Sequence, residues 1–395
     1  MNRKQFIILL VLVVLIGTAG WIIRKHNQES WQSSGQATGK LLPNFPINDV
    51  AQVIIQSGTN NLHLVRRDNL WRVQERADYP ANFSQVSDLL IKLGDLKISQ
   101  SQDVGPSQLG RFELLPPGAG ADTGTLLQFN DQNGKTIDSI LLGKKHLKKP
   151  TANAQAGGMP DESWPDGRYV MAGASSKTLD VISDPLETVD PKPDAWLNKD
   201  FVKIEKPNAI SLRYPVSTNS WKLTRESETN DWALADAKPA EKLDSSKVSS
   251  LTGEFSSLSF NDVLPPDTKP EISGLTNITT LTVETADHFT YTARIGSVQD
   301  DVYPVSLTVT ADLPAARNPA KDEKPDDQAK LDKAFADQQK TLTDKLAKEK
   351  QIAGWIFKVP SYSLSSILKT RSQLMVEPKA PETTPSQPAS ASPAP

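Results

Sequence analysis

Apolar and polar positions alternate, then fall at helical spacing, then alternate again, and the chain runs through this order twice. In the first pass, residues 53–56 and 62–66 alternate as strands do, Asp68-Asn69 supplies turn chemistry, and Leu70-Trp71-Arg72-Val73 resumes the alternation. In the second, residues 210–214, Trp221-Lys222-Leu223-Thr224 and Trp232-Ala233-Leu234 keep that order, with Asn230-Asp231 at the turn. The period then changes. Val86, Leu89, Leu93 and Leu96, and again Val248, Leu251, Phe255 and Leu258, share the spacing i, i+3, i+7, i+10, which sets four apolar side chains on one helical face. Asn82 with Ser84, and Asp244 with Ser245, are N-cap residues just upstream. Strands return at 126–129 and 137–142 around Asn133-Gly134, and at 281–283 and 289–295; these runs close on Gly143 and Gly296. Each pass ends on two more strands, 169–170 with 179–182 and 305–309 with 355–359, and on short helical turns at Leu186 and at 364–368.

The fold class expected is α+β: two tandem repeats of a mixed module, each with antiparallel strands and one main amphipathic helix, over 47–200 and 201–376. One segment breaks the symmetry, a helical insertion at 314–352. Its first part is a charged linker, and residues 326–350 are dense in Ala, Lys, Asp and Gln, material for an exposed helix. Leu331, Phe335, Leu342 and Leu346 form a narrow apolar stripe on it. Either the helix lies solvated against its own module, or the stripe is a docking surface for a partner helix.

The ends differ from the body. Residues 6–23 carry no charge, follow Arg3 and Lys4 and precede Arg24, Lys25 and His26. As a helix they span roughly 27 Å, close to the hydrocarbon thickness of a bilayer. Without a clean Ala-x-Ala cleavage site, the expectation is an uncleaved transmembrane helix over 1–25, with Phe6, Ile7, Leu10, Leu12, Val14, Leu15, Trp21 and Ile23 in the lipid. Flanking charge is nearly balanced and does not orient it. Residues 26–46 read as a flexible spacer and 377–395, rich in Pro, Ala and Ser, as a disordered tail.

Composition narrows the function. Net charge is −3, with 44 basic against 47 acidic residues, so no field exists to condense nucleic acid. The absence of cysteine removes disulfides, thiolate nucleophiles, Cys-based metal sites and a lipoprotein anchor. His26, His63, His146 and His288 are scattered, with no pair at the i, i+4 spacing of a helical zinc site; 63 and 288 fall in predicted strands and 146 in a basic loop, 144–149. Ser366-Ile367-Leu368-Lys369 matches Ser-x-x-Lys but lacks its Ser-Asp-Asn and Lys-Thr-Gly companions. Residues 35–41 are one residue short of a P-loop and end in Leu, while Gly118, Gly120 and Gly124 have the wrong spacing for a dinucleotide turn. Asp300-Asp301 and Asp326-Asp327 read as solvated turn and linker charge. No catalytic, cofactor or metal residue is expected.

The anchor, Trp71-Arg72-Val73 ahead of the helix at 86–96, Phe112-Glu113-Leu114-Leu115-Pro116, residues 140–143 and Tyr169-Val170 form a pattern repeated at Trp232-Ala233-Leu234, 248–258, Gly274-Leu275 and Ile295-Gly296. It resembles the bacterial family numbered 4340 among the domains of unknown function, over nearly all of 47–376. The family's Tyr-Gly-Leu with a following Pro is split here, into Phe-Glu-Leu in the first copy and Gly-Leu without the proline in the second. The resemblance implies an accessory protein beside the permease of a gliding-motility-type ABC transporter. It carries no catalytic residues. The function expected is therefore a non-enzymatic interaction protein, held in the bacterial inner membrane by residues 6–23 with its body in the periplasm. An envelope enzyme acting on peptidoglycan or glycan, and a ligand-binding sensor with its site between the modules, are the alternatives.

Overall fold

The computed structural model describes residues 39–147, 164–173, 177–319 and 323–377. The chain divides into one unit ending at Asn198 and another beginning at Lys199.

In the first unit, alternation at period two builds strands with one buried face. They are β1 (Gly39–Lys40), β2 (Gln52–Ser57), β3 (Asn60–Arg67), β4 (Leu70–Val73), β5 (Tyr79–Pro80), β6 (Lys97–Asp103), β7 (Thr125–Asn130), β8 (Thr136–Leu147), β9 (Pro165–Ala172) and β10 (Thr178–Ile182). The sheet runs β1-β6-β10-β9-β8-β7-β2-β3-β4-β5, and every pairing is antiparallel. Val53, Ile55, Leu62, Leu64, Leu127, Phe129, Ile140 and Leu142 are all fully buried. Helix α1 (Phe83–Asp95) starts at Asn82, whose side chain accepts from the Gln85 amide at 3.2 Å, and buries Val86, Leu89, Leu90 and Leu93. Each such side chain contributes roughly 2 kcal/mol against leaving it in water. Trp196 is fully buried too, its Nε1 donating to the Asp190 carbonyl at 2.7 Å and its own carbonyl accepting from Asn82 at 2.8 Å.

The second unit repeats the plan with β11 (Pro207–Arg213), β12 (Trp221–Thr224), β13 (Ala233–Leu234), β14 (Asp262–Leu264), β15 (Thr279–Thr285), β16 (Phe289–Ile295), β17 (Val302–Ala311) and β18 (Ile356–Pro360). Its order, β13-β12-β11-β15-β16-β17-β18-β14, matches β4-β3-β2-β7-β8-β9-β10-β6 strand for strand. Helix α2 (Ser245–Glu254) leaves one edge strand, β13, and delivers the chain to the other, β14, so it crosses the whole buried face. Asp244 caps it, accepting from the amides of Ser246 at 3.0 Å and Lys247 at 3.3 Å, and Val248 and Leu251 face the core.

A crossing segment backs each sheet. A Cβ on Gly143 would lie 2.3 Å from the Phe112 carbonyl oxygen, and one on Gly296 would lie 2.1 Å from that of Gly274, so only hydrogen fits. Each segment ends a short helix in a left-handed turn, at Glu113 after residues Pro106–Phe112 and at Gly274 after α3 (Pro270–Ser273). The remaining helices are α4 (Pro325–Ile352) and α5 (Ser361–Leu364).

The expected fold class is corrected on two counts. The units are antiparallel sheets of ten and eight strands with few helices, not mixed α+β modules, and the described residues include no membrane helix. Segments without clear alternation supply the extra strands: Lys97–Asp103 has Ile98 as its one large apolar residue, and Asp262–Leu264 is three residues long. The membrane assignment is corrected as well, because no helix of the described residues is long and apolar enough to cross a bilayer. The longest, α4, is charged along its length. Residues 6–23, on which the single-pass expectation rested, lie outside the described residues, as does 378–395.

Candidate functional site

The residues singled out for chemistry are structurally engaged. On β3, His63 Nδ1 lies 2.6 Å from Glu75 Oε1, and the His63 backbone amide donates to the same carboxylate at 3.0 and 3.1 Å. His146 Nδ1 lies 2.6 Å from Asp166 Oδ1, and its ring meets Tyr169 edge-on at 5.4 Å. His146 belongs to β8 and not to a loop, since that strand continues through Leu147; Lys145 on it pairs with Glu187 at 2.7 Å. His288 is not in a strand either: it holds a φ of 63° in the turn between β15 and β16. His26, Lys148 and Lys149 lie outside the described residues. Among the described residues no three of His, Asp or Glu are placed to hold a metal ion.

Ser366 Oγ donates to Glu254 Oε1 at 3.5 Å, and Lys369 offers its carbonyl to Trp221 Nε1 at 2.7 Å. This stretch anchors the chain after α5 to the sheet. Asp300 and Asp301 form a tight turn with both φ angles positive. Gly39 and Lys40, read as spacer, form β1, and the adjoining Leu41 and Leu42 are buried.

The stripe on α4 has a definite seat. Phe335, Leu342 and Leu346 are half-buried, as are Gln339 and Lys345, whereas Leu331 near the start of the helix is 43% exposed. Positions 331, 335, 339, 342, 346 and 349 advance by four, four, three, four and three, so they share one side of the helix. The C-terminal half therefore lies against the sheet, and the same side is open near the start of the helix, at Leu331. At the seated end Glu349, 7% exposed, accepts from the Tyr291 hydroxyl at 2.9 Å. Burial pushes the Glu349 carboxyl above its ordinary range, and burial followed by the Glu349 charge pushes the Tyr291 phenol up. Lys345 Nζ stands 5.3 Å over the Phe289 ring, 3.4 Å from Glu205 and 4.0 Å from Glu349. Lys348 reaches Asp200 at 3.3 Å. Near the open end Arg317 donates to Glu323 and, at 2.9 Å, to Asp332. Nothing in the bare sequence marked Glu349, because a glutamate between Lys348 and Lys350 reads as solvated. The available signal was its place seven residues after Leu342, opposite an inward-facing Tyr291.

One interior gap of this unit, about 30 Å³, is bounded by Tyr291, Leu281, Val283, Leu307 and Ile367. It is apolar and holds little more than one water, too small for a ligand. The anchor residues Phe6, Ile7, Leu10, Leu12, Val14, Leu15, Trp21 and Ile23 lie outside the described residues.

Two antiparallel sheets of one strand order, with an amphipathic helix seated on the second, define a class of duplicated β-rich protein. The sequence model of the family described as "Domain of unknown function (DUF4340)" matches residues 71–277, just over half of the chain, and the protein belongs to that family. No curated protein and no solved structure matches it.

Proposed function

We propose that this chain is a non-catalytic interaction protein that engages another protein through the open end of α4. The observation that carries the reading is the change in exposure along one helical side, from Leu331 at 43% exposed to Glu349 at 7%. A large apolar residue held on a charged, well-anchored helix is a ready contact for a partner helix laid against it. The partner class we favour is a component of an extracytoplasmic ABC-transporter assembly, for which the family resemblance is the support. Photocrosslinking from positions 331 and 335 in intact bacterial cells tests it. The expected result is a discrete adduct with such a component from each position, the one from 335 being lost in Leu331→Asp. Adducts no more abundant than those from the exposed Lys222 on the sheet would overturn the proposal.

A further inference from the structure

The described residues bury two carboxyl groups, Asp180 and Glu349. Asp180 lies on β10, accepts from Ser101 on the neighbouring β6 and so serves one sheet pairing. Glu349 is different, because its hydrogen bond crosses from a helix to the sheet and not between paired strands. Its bond to Tyr291 joins the last turns of α4 to β16, near the middle of the sheet. Tyr291 cannot turn away: its ring stacks on Phe289 at 6.0 Å and its body is buried in the core beneath the helix.

The cations around Glu349 are drawn elsewhere. On its own helix Lys345 is closer to Glu205, at 3.4 Å, than to Glu349, at 4.0 Å, and it also donates to the Lys203 carbonyl at 3.3 Å. Lys348 points to Asp200. From the chain ahead of β11 Glu205 adds a like charge, and Asp287 in the β15–β16 turn is engaged by Lys206 at 3.3 Å. An ionised carboxylate here keeps one short hydrogen bond and shares its nearest cation, while losing most of its water. A neutral carboxyl loses far less. The seated helix thus favours the protonated acid, and an unseated helix exposes Glu349 to solvent.

We infer that Tyr291 and Glu349 form a latch that holds the C-terminal half of α4 on the sheet, tightening as the surroundings become acidic and loosening as they become neutral. The sign follows from linkage. Glu349 titrates higher when seated than when free, so its stabilising contribution is complete below the free carboxyl's ordinary value of 4.5 and is lost as pH rises through the seated value. The inference rests on the reading of α4 as the docking element and supplies its regulation: the presented stripe is rigid in acid and freer to rearrange at neutral pH.

Hydrogen exchange of the whole chain, corrected for intrinsic rates, tests the latch with no partner present. In the wild type, amides of residues 342–352 are expected to exchange several-fold more slowly at acidic than at neutral pH. Glu349→Gln keeps an acceptor for Tyr291 without a charge, and should show slow exchange at both. Tyr291→Phe should quicken exchange at both. Unchanged protection of β15 and β16 in each variant shows that the sheet has folded. Wild-type protection independent of pH, or a Glu349→Gln variant as pH-dependent as the wild type, overturns the latch. Failure there, with crosslinks from 331 still formed, removes the latch alone; loss of the crosslinks with the pH effect intact removes the docking reading alone.

Discussion

The two units share one strand order but back their sheets differently. Behind the first sheet, Val104, Leu114, Met171 and Leu179 pack with Leu109, Phe112, Leu141 and Tyr169 into a second apolar cluster. The second sheet carries hydroxyls on that side, with Ser211, Thr282, Thr292 and Thr308 directly paired across four strands. It spends its extra chain on the other face, where α4 is seated. One topology therefore supports either a two-faced sheet or a one-faced sheet with a presented helix. What stays common is the framework that fixes strand order, namely the crossing helix and the backing segment against glycine.

The largest expected effect tests that common framework. Gly143→Ala and Gly296→Ala force a methyl against backbone carbonyls that have no room to retreat, and each should cost about 3 kcal/mol. Hydrogen exchange resolved by unit should show the loss in the strands of the mutated unit; an effect below about 1 kcal/mol in either would break the equivalence of the two glycines. Smaller is the loss of a cap. Asn82→Ala and Asp244→Ala each remove an acceptor at the start of the crossing helix and should cost about 1 kcal/mol by chemical denaturation. Asp244 accepts two amides where Asn82 accepts one, so its loss should be the greater; the reverse order would argue against ranking the helices by their caps. The smallest change runs the other way. Glu113 occupies a left-handed turn that Gly274 fills without strain, and Glu113→Gly should stabilise the first unit by about 0.5 kcal/mol, read as a raised unfolding midpoint. A loss of stability would mean that the Glu113 charge beside the desolvated Arg168 matters more than its backbone.

Most of the framework was legible wherever burial is one-sided. Ile55, Leu64, Phe129 and their counterparts on β11, β15 and β16 alternate because one sheet face excludes water. The helical spacings appear because α1 and α2 press one side onto that face, but they run past the helices: Leu96 follows the end of α1, and Phe255 and Leu258 follow the end of α2. What escaped reading had no such contrast. Lys97–Asp103 lies near an edge and needs backbone pairing more than apolar side chains, and Lys144–Leu147 extends β8 through charge. His288 sits where alternation seemed to continue, but its positive φ turns the chain. The α4 stripe could be seen and its seat could not, because Tyr291 and Glu349 are 58 residues apart and only folding pairs them.

The crossing helices carry a practical consequence for anyone dividing the gene. Because each carries the chain from one rim of its sheet to the far side, the earliest strands of a unit find their central neighbours only after that helix has passed: β2 waits for β7, and β11 for β15. A fragment cut to the family match, 71–277, would begin inside β4 without β2 and β3 and would stop just before β15. Both of its sheets would be left with unzipped interior strands, the kind of surface that recruits other chains. A cut that respects the architecture falls between Asn198 and Lys199.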